Sequence, residues 1–196
     1  IRRRAAEKNA EGKHWDMVRF DYIDKLGYYC TESSEHNAEY NPFYIKQGRD
    51  DLIEKFNIPL DEYPRRCVRQ AEGWAKQREI MLSGEGLKHV RSREYASRIM
   101  EAMITDTPYR IGGNVINNGV ISNLPAEACV EVPCMVDAAG IHPTYVGALP
   151  TQLAAMNASN IYPQLLTIEA AHTGRKEAIY QAAMMDPLTG AQLSTD

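Results

Sequence analysis

Residues 33–40 read Ser33-Ser34-Glu35-His36-Asn37-Ala38-Glu39-Tyr40 and form the densest cluster of titratable side chains in the chain. Glu35, His36, Glu39 and Tyr40 place acid, base and metal-ligand chemistry within six residues. If the segment is helical, Glu35 and Glu39 form one i,i+4 pair and His36 and Tyr40 another, on adjacent faces. That arrangement would aim His36 and Tyr40 together into a cleft. The alternative is a capped helix start whose glutamates face water.

A second cluster interleaves Asn114, Asn117, Asn118 and Asn123 with Gly112, Gly113 and Gly119. Asparagine amides both donate to and accept from sugar hydroxyls, and glycine lets the backbone approach a ligand closely. A pair of hairpin turns would use the same residues. Gly112-Gly113 lacks the third glycine and the strand-turn-helix setting of a dinucleotide fingerprint. The chain has neither a GxSxG elbow nor a Walker loop.

Other reactive side chains read more plainly. Arg65 and Arg66 follow Pro64 near a helix start, where positive charge opposes the macrodipole. They are either a solvated face or a contact to an anion or hydroxyl. Cys134 reads as a small buried hydrophobe and His142, before Pro143, as a structural turn residue. Arg2-Arg3-Arg4 is too short a run to indicate nucleic-acid binding.

These residues need elements to position them. Residues 1–13 lack apolar periodicity and read as a flexible arm, with 14–196 as one domain. Trp15, Val18, Tyr22, Ile23 and Leu26 form one helical stripe, closed by Gly27. A β-like run at 28–31 leads into the polar cluster, and Pro42 opens an aromatic turn at 42–45. Helices are expected at 49–56 and 63–82, the second with Cys67, Ala71, Trp74 and Arg78 on one face. A loop at 83–86 precedes a helix at 92–104, with Tyr95, Ile99 and Met103 as its buried stripe.

Strand signals follow at 109–113 and 115–116, broken by glycine, then at 129–136 and 141–146. Asn118-Gly119 is a strong turn signal, and Pro133 calls for an edge position or a bulge. Residues 151–171 and 175–185 return to helix. Core packing is the default for their Ala, Met and Leu, and an interface the alternative. Helices, a small mixed or antiparallel sheet, then helices again make the class α+β and mainly helical.

Composition bounds the function. The 196 residues carry 22 Lys and Arg against 26 Asp and Glu, a net charge of -4. That balance argues against a general binder of nucleic acid or anionic membrane. No apolar run approaches the ~20 residues of a membrane span, and no signal peptide opens the chain. Four scattered cysteines read as reduced thiols, which points to the cytoplasm. The first residue is Ile1 rather than Met, and Ser194 and Thr195 would cap a helix that does not follow. Both ends are expected to be cuts in a longer protein.

Read together, the segments are familiar. Thr31-Glu32-Ser33-Ser34-Glu35-His36-Asn37-Ala38-Glu39-Tyr40-Asn41-Pro42 resembles the TESSEHxAEYxP stretch of glycoside hydrolase family 4, in its melibiase-type α-galactosidase subgroup. Pro59-Leu60-Asp61-Glu62-Tyr63-Pro64-Arg65-Arg66-Cys67-Val68 resembles that subgroup's PLDEYPxRCV. Further matches are Ser92-Arg93-Glu94-Tyr95-Ala96-Ser97, Gly113-Asn114-Val115 and Asn123-Leu124-Pro125. Val130-Glu131-Val132-Pro133-Cys134 and Ala183-Met184-Met185-Asp186-Pro187 complete the set. The likeness runs from about Val18 to the end of the chain.

The resemblance implies hydrolysis of α-galactosides with NAD and a divalent metal, Mn²⁺, as cofactors. In such enzymes the nicotinamide takes a hydride from C3 of the sugar and a base removes the acidified C2 proton. The metal polarises the neighbouring oxygens, the aglycone is eliminated, water adds and the hydride returns. The usual pair of glycosidase carboxylates is therefore not the signature to seek.

The resemblance covers the C-terminal half of the family only and makes 14–196 its substrate-side and oligomerisation domain; the cofactor domain and the metal-binding cysteine and histidine motifs are not in this sequence. It places the C2 base in the region of His36, with Glu35 and Tyr40 as weaker candidates. Arg65 or Arg66 falls where phosphate-handling relatives place a sugar-contacting arginine, and Asn114 and Asn118 would line the pocket. The implied partner is a small α-galactoside, and the implied assembly a homo-oligomer, a dimer or tetramer. The same mechanism on α-glucosides or α-galacturonides is the nearest alternative, and a non-catalytic sugar-binding or assembly fragment the more distant one. Without the cofactor domain, these residues alone are expected to be inactive.

Overall fold

A computed structural model describes residues 1–84, 88 and 90–195. Of the loop expected at 83–86, Glu85 and Gly86 lie outside the described residues. Helix α1 (Arg2–Ala10) packs on α2 (Met17–Leu26), and α3 (Ser34–Tyr40) follows an irregular segment. Next come α4 (Asp50–Lys55), α5 (Glu62–Ser83) and α6 (Ala96–Thr105). Strands β1 (Tyr109–Ile116), β2 (Cys129–Asp137) and β3 (Gly140–Pro143) pair antiparallel in the order β1-β2-β3. Helices α7 (Thr151–Thr173), α8 (Lys176–Met185) and α9 (Pro187–Gln192) complete the chain. The class is α+β, mainly helical, as the order of signals implied.

Two apolar cores hold these elements. The first sets the inner face of the sheet, Ile111, Val130, Val132, Cys134 and Val136, against Ala102 of α6 and Ile161 of α7. The second joins Val18 and Tyr22 of α2 to Ala38 of α3, Tyr44, Phe56 and Ile58. Met156 packs against the second core and Leu165 against the first, so α7 touches both. At about 1.5 Å per residue, its 23 residues span about 35 Å. That length lets one helix form a wall for the α2–α3 side while seating the sheet.

Several expectations change. Residues 2–10, read as part of an arm, form α1: the Ala, Arg, Glu and Lys content favours helix without an apolar stripe, and Ala5 is buried. The β-like run at 28–31 makes no strand. Gly112 and Gly113 do not break β1, which runs unbroken through both. At Gly113 a β-carbon would come within 2.9 Å of Cys134 Sγ, so close strand packing is the reason for glycine there.

β2 is the central strand, yet Pro133 lies one residue past the last β2–β3 register pair, Cys134–Pro143. Its missing N–H therefore removes no rung of that ladder. β3 ends at Pro143, short of the expected 146. In α6 it is Ala102 that is buried, while Tyr95 and Met103 are exposed and Ile99 only partly covered. α5 has no buried residue, so its stripe of Cys67, Ala71, Trp74 and Arg78 lies in the open. On α7 and α8, Tyr162, Ile168, Ile179, Tyr180, Met184 and Met185 are exposed rather than packed in a core.

Candidate active site

The polar segment is helical, and Ser33 caps α3: its Oγ accepts the His36 backbone N–H at 3.1 Å. Asn37 and Ala38 face inward and anchor the helix, which leaves Glu35, His36 and Tyr40 on the outer side, partly or largely exposed. His36 Nδ1 lies 3.1 Å from Glu32 Oε1, and its ring stacks on Tyr40 with centroids 5.6 Å apart at 22°. An ionised carboxylate only accepts, so this bond puts the proton on Nδ1 and leaves the lone pair on Nε2. An imidazole so held has the form of a general base oriented by an acid, the pattern that aims a side chain at a C–H or O–H proton.

The neighbouring ionisations fit that arrangement. Hydrogen bonding from the Ser33 backbone N–H at 2.7 Å, then from His36, holds the Glu32 carboxyl below its usual range. Burial, followed by the charges of Glu32 and Glu39, pushes the Tyr40 phenol up. Tyr40 thus keeps its proton near neutral pH and offers its ring as a stacking surface. Burial and then Glu35 push the Glu39 carboxyl up as well.

Beside this cluster is a cavity of about 420 Å³ between the α2–α3 side and α7. Tyr29, Cys30, Glu32, Asn37, Tyr40 and Asn41 line one wall. Leu153, Met156, Asn157, Asn160 and Gln164 of α7 line the other. Tyr22, Leu26 and Tyr28 complete the lining, and no Lys or Arg is part of it. Aromatic faces and carboxamides together suit a neutral polyhydroxylated ligand. Tyr40, Asn160 and Gln164 also line an adjoining groove of about 700 Å³ between α7 and α8.

The structure brings Tyr40 and Glu32 to the cavity and His36 into contact with both. Glu35 sits on the same helix one turn before Glu39. The remaining candidates lie elsewhere. Arg65 Nη2 reaches Glu62 at 3.4 Å on exposed α5, with Arg66 beside it, and neither lines the cavity. Asn114 is exposed on β1 opposite Glu131, and Asn118 occupies a left-handed turn position with φ 42°. Asn117 and Asn123 serve the loop: Asn123 exchanges two bonds with Leu149, and Asn117 is wholly buried.

Glu32 and the α7 wall were not singled out from the sequence. The signal was present in α7, since 153, 156, 157, 160 and 164 follow helical i,i+3 and i,i+4 spacing on one face. Cys134 is fully buried, as expected of a small hydrophobe, while His142, expected in a turn, is exposed on β3 and pairs with Asp137 at 2.9 Å.

No cluster of three His, Cys, Asp or Glu that could hold a metal occurs among the described residues. The sheet strands pair antiparallel, without the strand-turn-helix crossover that cradles a dinucleotide pyrophosphate. The residues present therefore do not by themselves fit NAD or Mn²⁺. Among the described residues no helix is long and apolar enough to cross a membrane.

Comparison with known proteins agrees with the motif reading. Residues 1–189 match the family 4 glycosyl hydrolase C-terminal domain, including the segment read as an arm. The chain is 58% identical over 194 residues to an alpha-galactosidase of Bacillus subtilis, covering 99% of this chain and 45% of that protein. It is 36% identical over 187 residues to an alpha-galactosidase of Rhizobium meliloti, covering 90% and 38%. It thus spans less than half the length of these relatives. Among solved structures, a Bacillus subtilis protein described as a glucosidase superposes with a TM-score of 0.79 at 22% identity, covering 95% of this chain and 45% of the other. A 6-phospho-alpha-glucosidase from gut microorganisms, solved with NAD and Mn²⁺, superposes at 0.65 with 16% identity, covering 88% and 39%. The chain belongs to the family 4 glycosyl hydrolases, as their C-terminal domain.

Proposed function

We propose that this chain is the substrate-side half of an α-galactosidase that, in its full length, depends on NAD and Mn²⁺ held outside these residues. The cofactors are those seen in solved members of the family, and the redox chemistry is assigned to the part of the protein beyond this chain. What falls to these residues is binding the sugar and moving a proton. His36, oriented by Glu32, takes the proton from C2 of the galactosyl ring; Tyr40 keeps its proton and donates to a sugar oxygen. Glu35 contributes charge to the same helix, and Arg65, Arg66, Asn114 and Asn118 remain candidate sugar contacts in the assembled protein.

The observation that carries the choice of sugar is the cavity lining. It has aromatic rings, five carboxamides and the Glu32 carboxylate, without a lysine or arginine. A uronate or phosphorylated sugar would meet repulsion from Glu32 with no cation here to offset it. That favours a neutral galactoside over the substrates of the alpha-galacturonidases and the maltose-6'-phosphate glucosidases among the relatives. The two most similar relatives described above are alpha-galactosidases, which supports the same choice.

The test is an assay of the full-length protein on nitrophenyl α-galactoside, α-glucoside and α-galacturonide with NAD and Mn²⁺ present. Preferred cleavage of the galactoside is expected, and none from the 196-residue chain alone. Absence of galactoside hydrolysis by the full-length protein would sink the reading, whichever other sugar it cleaves.

A further inference from the structure

The segment 28–33, between α2 and α3, supplies much of one cavity wall yet belongs to no helix or strand. Its polar backbone must be satisfied by something other than a ladder. The structure shows what does this. Arg19 donates through Nη1 to the carbonyls of Cys30 at 3.4 Å and Thr31 at 3.3 Å. Its Nε donates to Asp16 Oδ1, and its guanidinium lies 4.7 Å from the ring centroids of both Trp15 and Tyr29.

Asp16 stands at the N-cap of α2, but its side chain does not cap that helix. Its carboxylate instead accepts from the Ser34 hydroxyl at 3.2 Å and the Tyr29 hydroxyl at 3.1 Å. Ser34 Oγ in turn accepts the Arg19 backbone N–H at 3.2 Å. Both charged side chains are only 10% exposed. All of these bonds except the Arg19–Asp16 pair run from the start of α2 into the segment or the first residue of α3.

We propose that Arg19 and Asp16 are positioning residues for the sugar site: together they fix the 28–34 segment, and with it the wall formed by Tyr29 and Glu32 and the start of α3. The inference rests on the α-galactosidase reading above. A buried ion pair contributes little net stability compared with an apolar pair of the same shape, so its yield here is geometry. The planar, multiply donating guanidinium spans a carboxylate, two carbonyls and two rings at once. A lysine ammonium in its place can satisfy only part of that set.

The experiment uses the full-length protein with Arg19→Lys, Arg19→Met and Tyr29→Phe. Circular dichroism and thermal melting establish that each variant is folded at the assay temperature. A splayed wall holds sugar less well, so the KM for nitrophenyl α-galactoside is expected to rise about fivefold or more in the Arg19 variants, while kcat falls by no more than the loss expected for Glu32→Gln, as Glu32 shifts from His36. Tyr29→Phe removes one bond to Asp16 and keeps the ring, so a smaller rise in the same direction is expected. If Arg19 only supported folding, the variants would contain fewer active molecules: kcat would fall at unchanged KM. An unchanged KM in the folded Arg19 variants overturns the inference. If neither folds, an unchanged KM in Tyr29→Phe overturns it. A parent protein inactive on the galactoside overturns the functional reading and this inference with it.

Discussion

Glu32 Oε1, just before α3, lies 3.1 Å from His36 Nδ1 four residues on, and the imidazole it holds is stacked on Tyr40. The carboxylate fixes the tautomer and the stack fixes the ring plane, so two separate contacts orient one imidazole. Neither partner is deeply buried, with side-chain exposures of 46% for His36 and 50% for Glu32. As a stabilising ion pair it is therefore worth little, and orientation is what it contributes.

If His36 is the base, His36→Asn in the full-length protein lowers kcat on nitrophenyl α-galactoside by about 10²-fold or more. Glu32→Gln leaves the imidazole but loosens it, for a loss of about tenfold. The double variant should then be little worse than His36→Asn, because both changes remove one function. Additive losses in steady-state kinetics would show that Glu32 acts on its own.

Tyr40 offers a separate test of roles. With its phenol pushed up by burial and by Glu32 and Glu39, it is protonated near neutral pH and poorly suited to accept a proton. Tyr40→Phe keeps the stack on His36 and should reduce kcat less than about tenfold. Tyr40→Ala removes the stack and part of the cavity wall, so kcat falls further and KM rises. A Phe variant as impaired as the Ala variant would assign the base to Tyr40 instead.

How much of this was legible in the sequence depends on where the backbone finds its partners. α2, α7 and α8 follow from local signals such as the apolar stripe of α2 and its Gly27 cap, because helices satisfy themselves locally, whereas the polar 33–40 segment left its helicity open. The alternation of β2 was equally plain. The 28–31 run was not, since Tyr28-Tyr29-Cys30-Thr31 has strand-like residues but its carbonyls bond Arg19 rather than a second strand. The site was half legible: Tyr40, which lines the cavity, and His36, which stacks on it from outside the lining, stood out as chemistry-bearing residues, whereas the α7 wall joins them only through the fold, more than a hundred residues later.

The asparagine cluster shows the other kind of limit, and it gives a stability prediction. Asn117 donates through Nδ2 to the carbonyls of Ile121, Leu124 and Pro125 at 2.9, 3.0 and 3.0 Å and accepts from the Ile121 N–H at 2.8 Å. It closes the loop between β1 and β2 and has no solvent exposure, so it contacts no sugar. Asn117→Ala orphans these groups and should cost about 2 kcal/mol or more, a fall in Tm of about 6 °C. Asn117→Asp should be worse than Ala although nearly isosteric, because a carboxylate would face three carbonyl oxygens. Equal melting temperatures for the two variants would refute this account of the loop.

Glu39 supplies a pH dependence whose sign can be worked out. Its carboxyl is pushed above the ordinary range, first by burial and then by Glu35. In the unfolded chain it ionises at about pH 4, earlier than in the folded one. Between those two points folding binds a proton, so stability falls as pH rises through this window, and the penalty stays constant above it. Below about pH 4 both states are protonated and the penalty vanishes. Glu39→Gln removes the titration while keeping shape and hydrogen-bonding capacity, so its Tm should exceed that of the parent at pH 7. The difference should shrink to nothing as the melts are repeated toward pH 4. Glu35→Gln should give a smaller gain with the same pH course, since it relieves only the secondary cause. A Glu39→Gln gain that persists unchanged at acid pH would mean that lost charge at Glu39 is not its source.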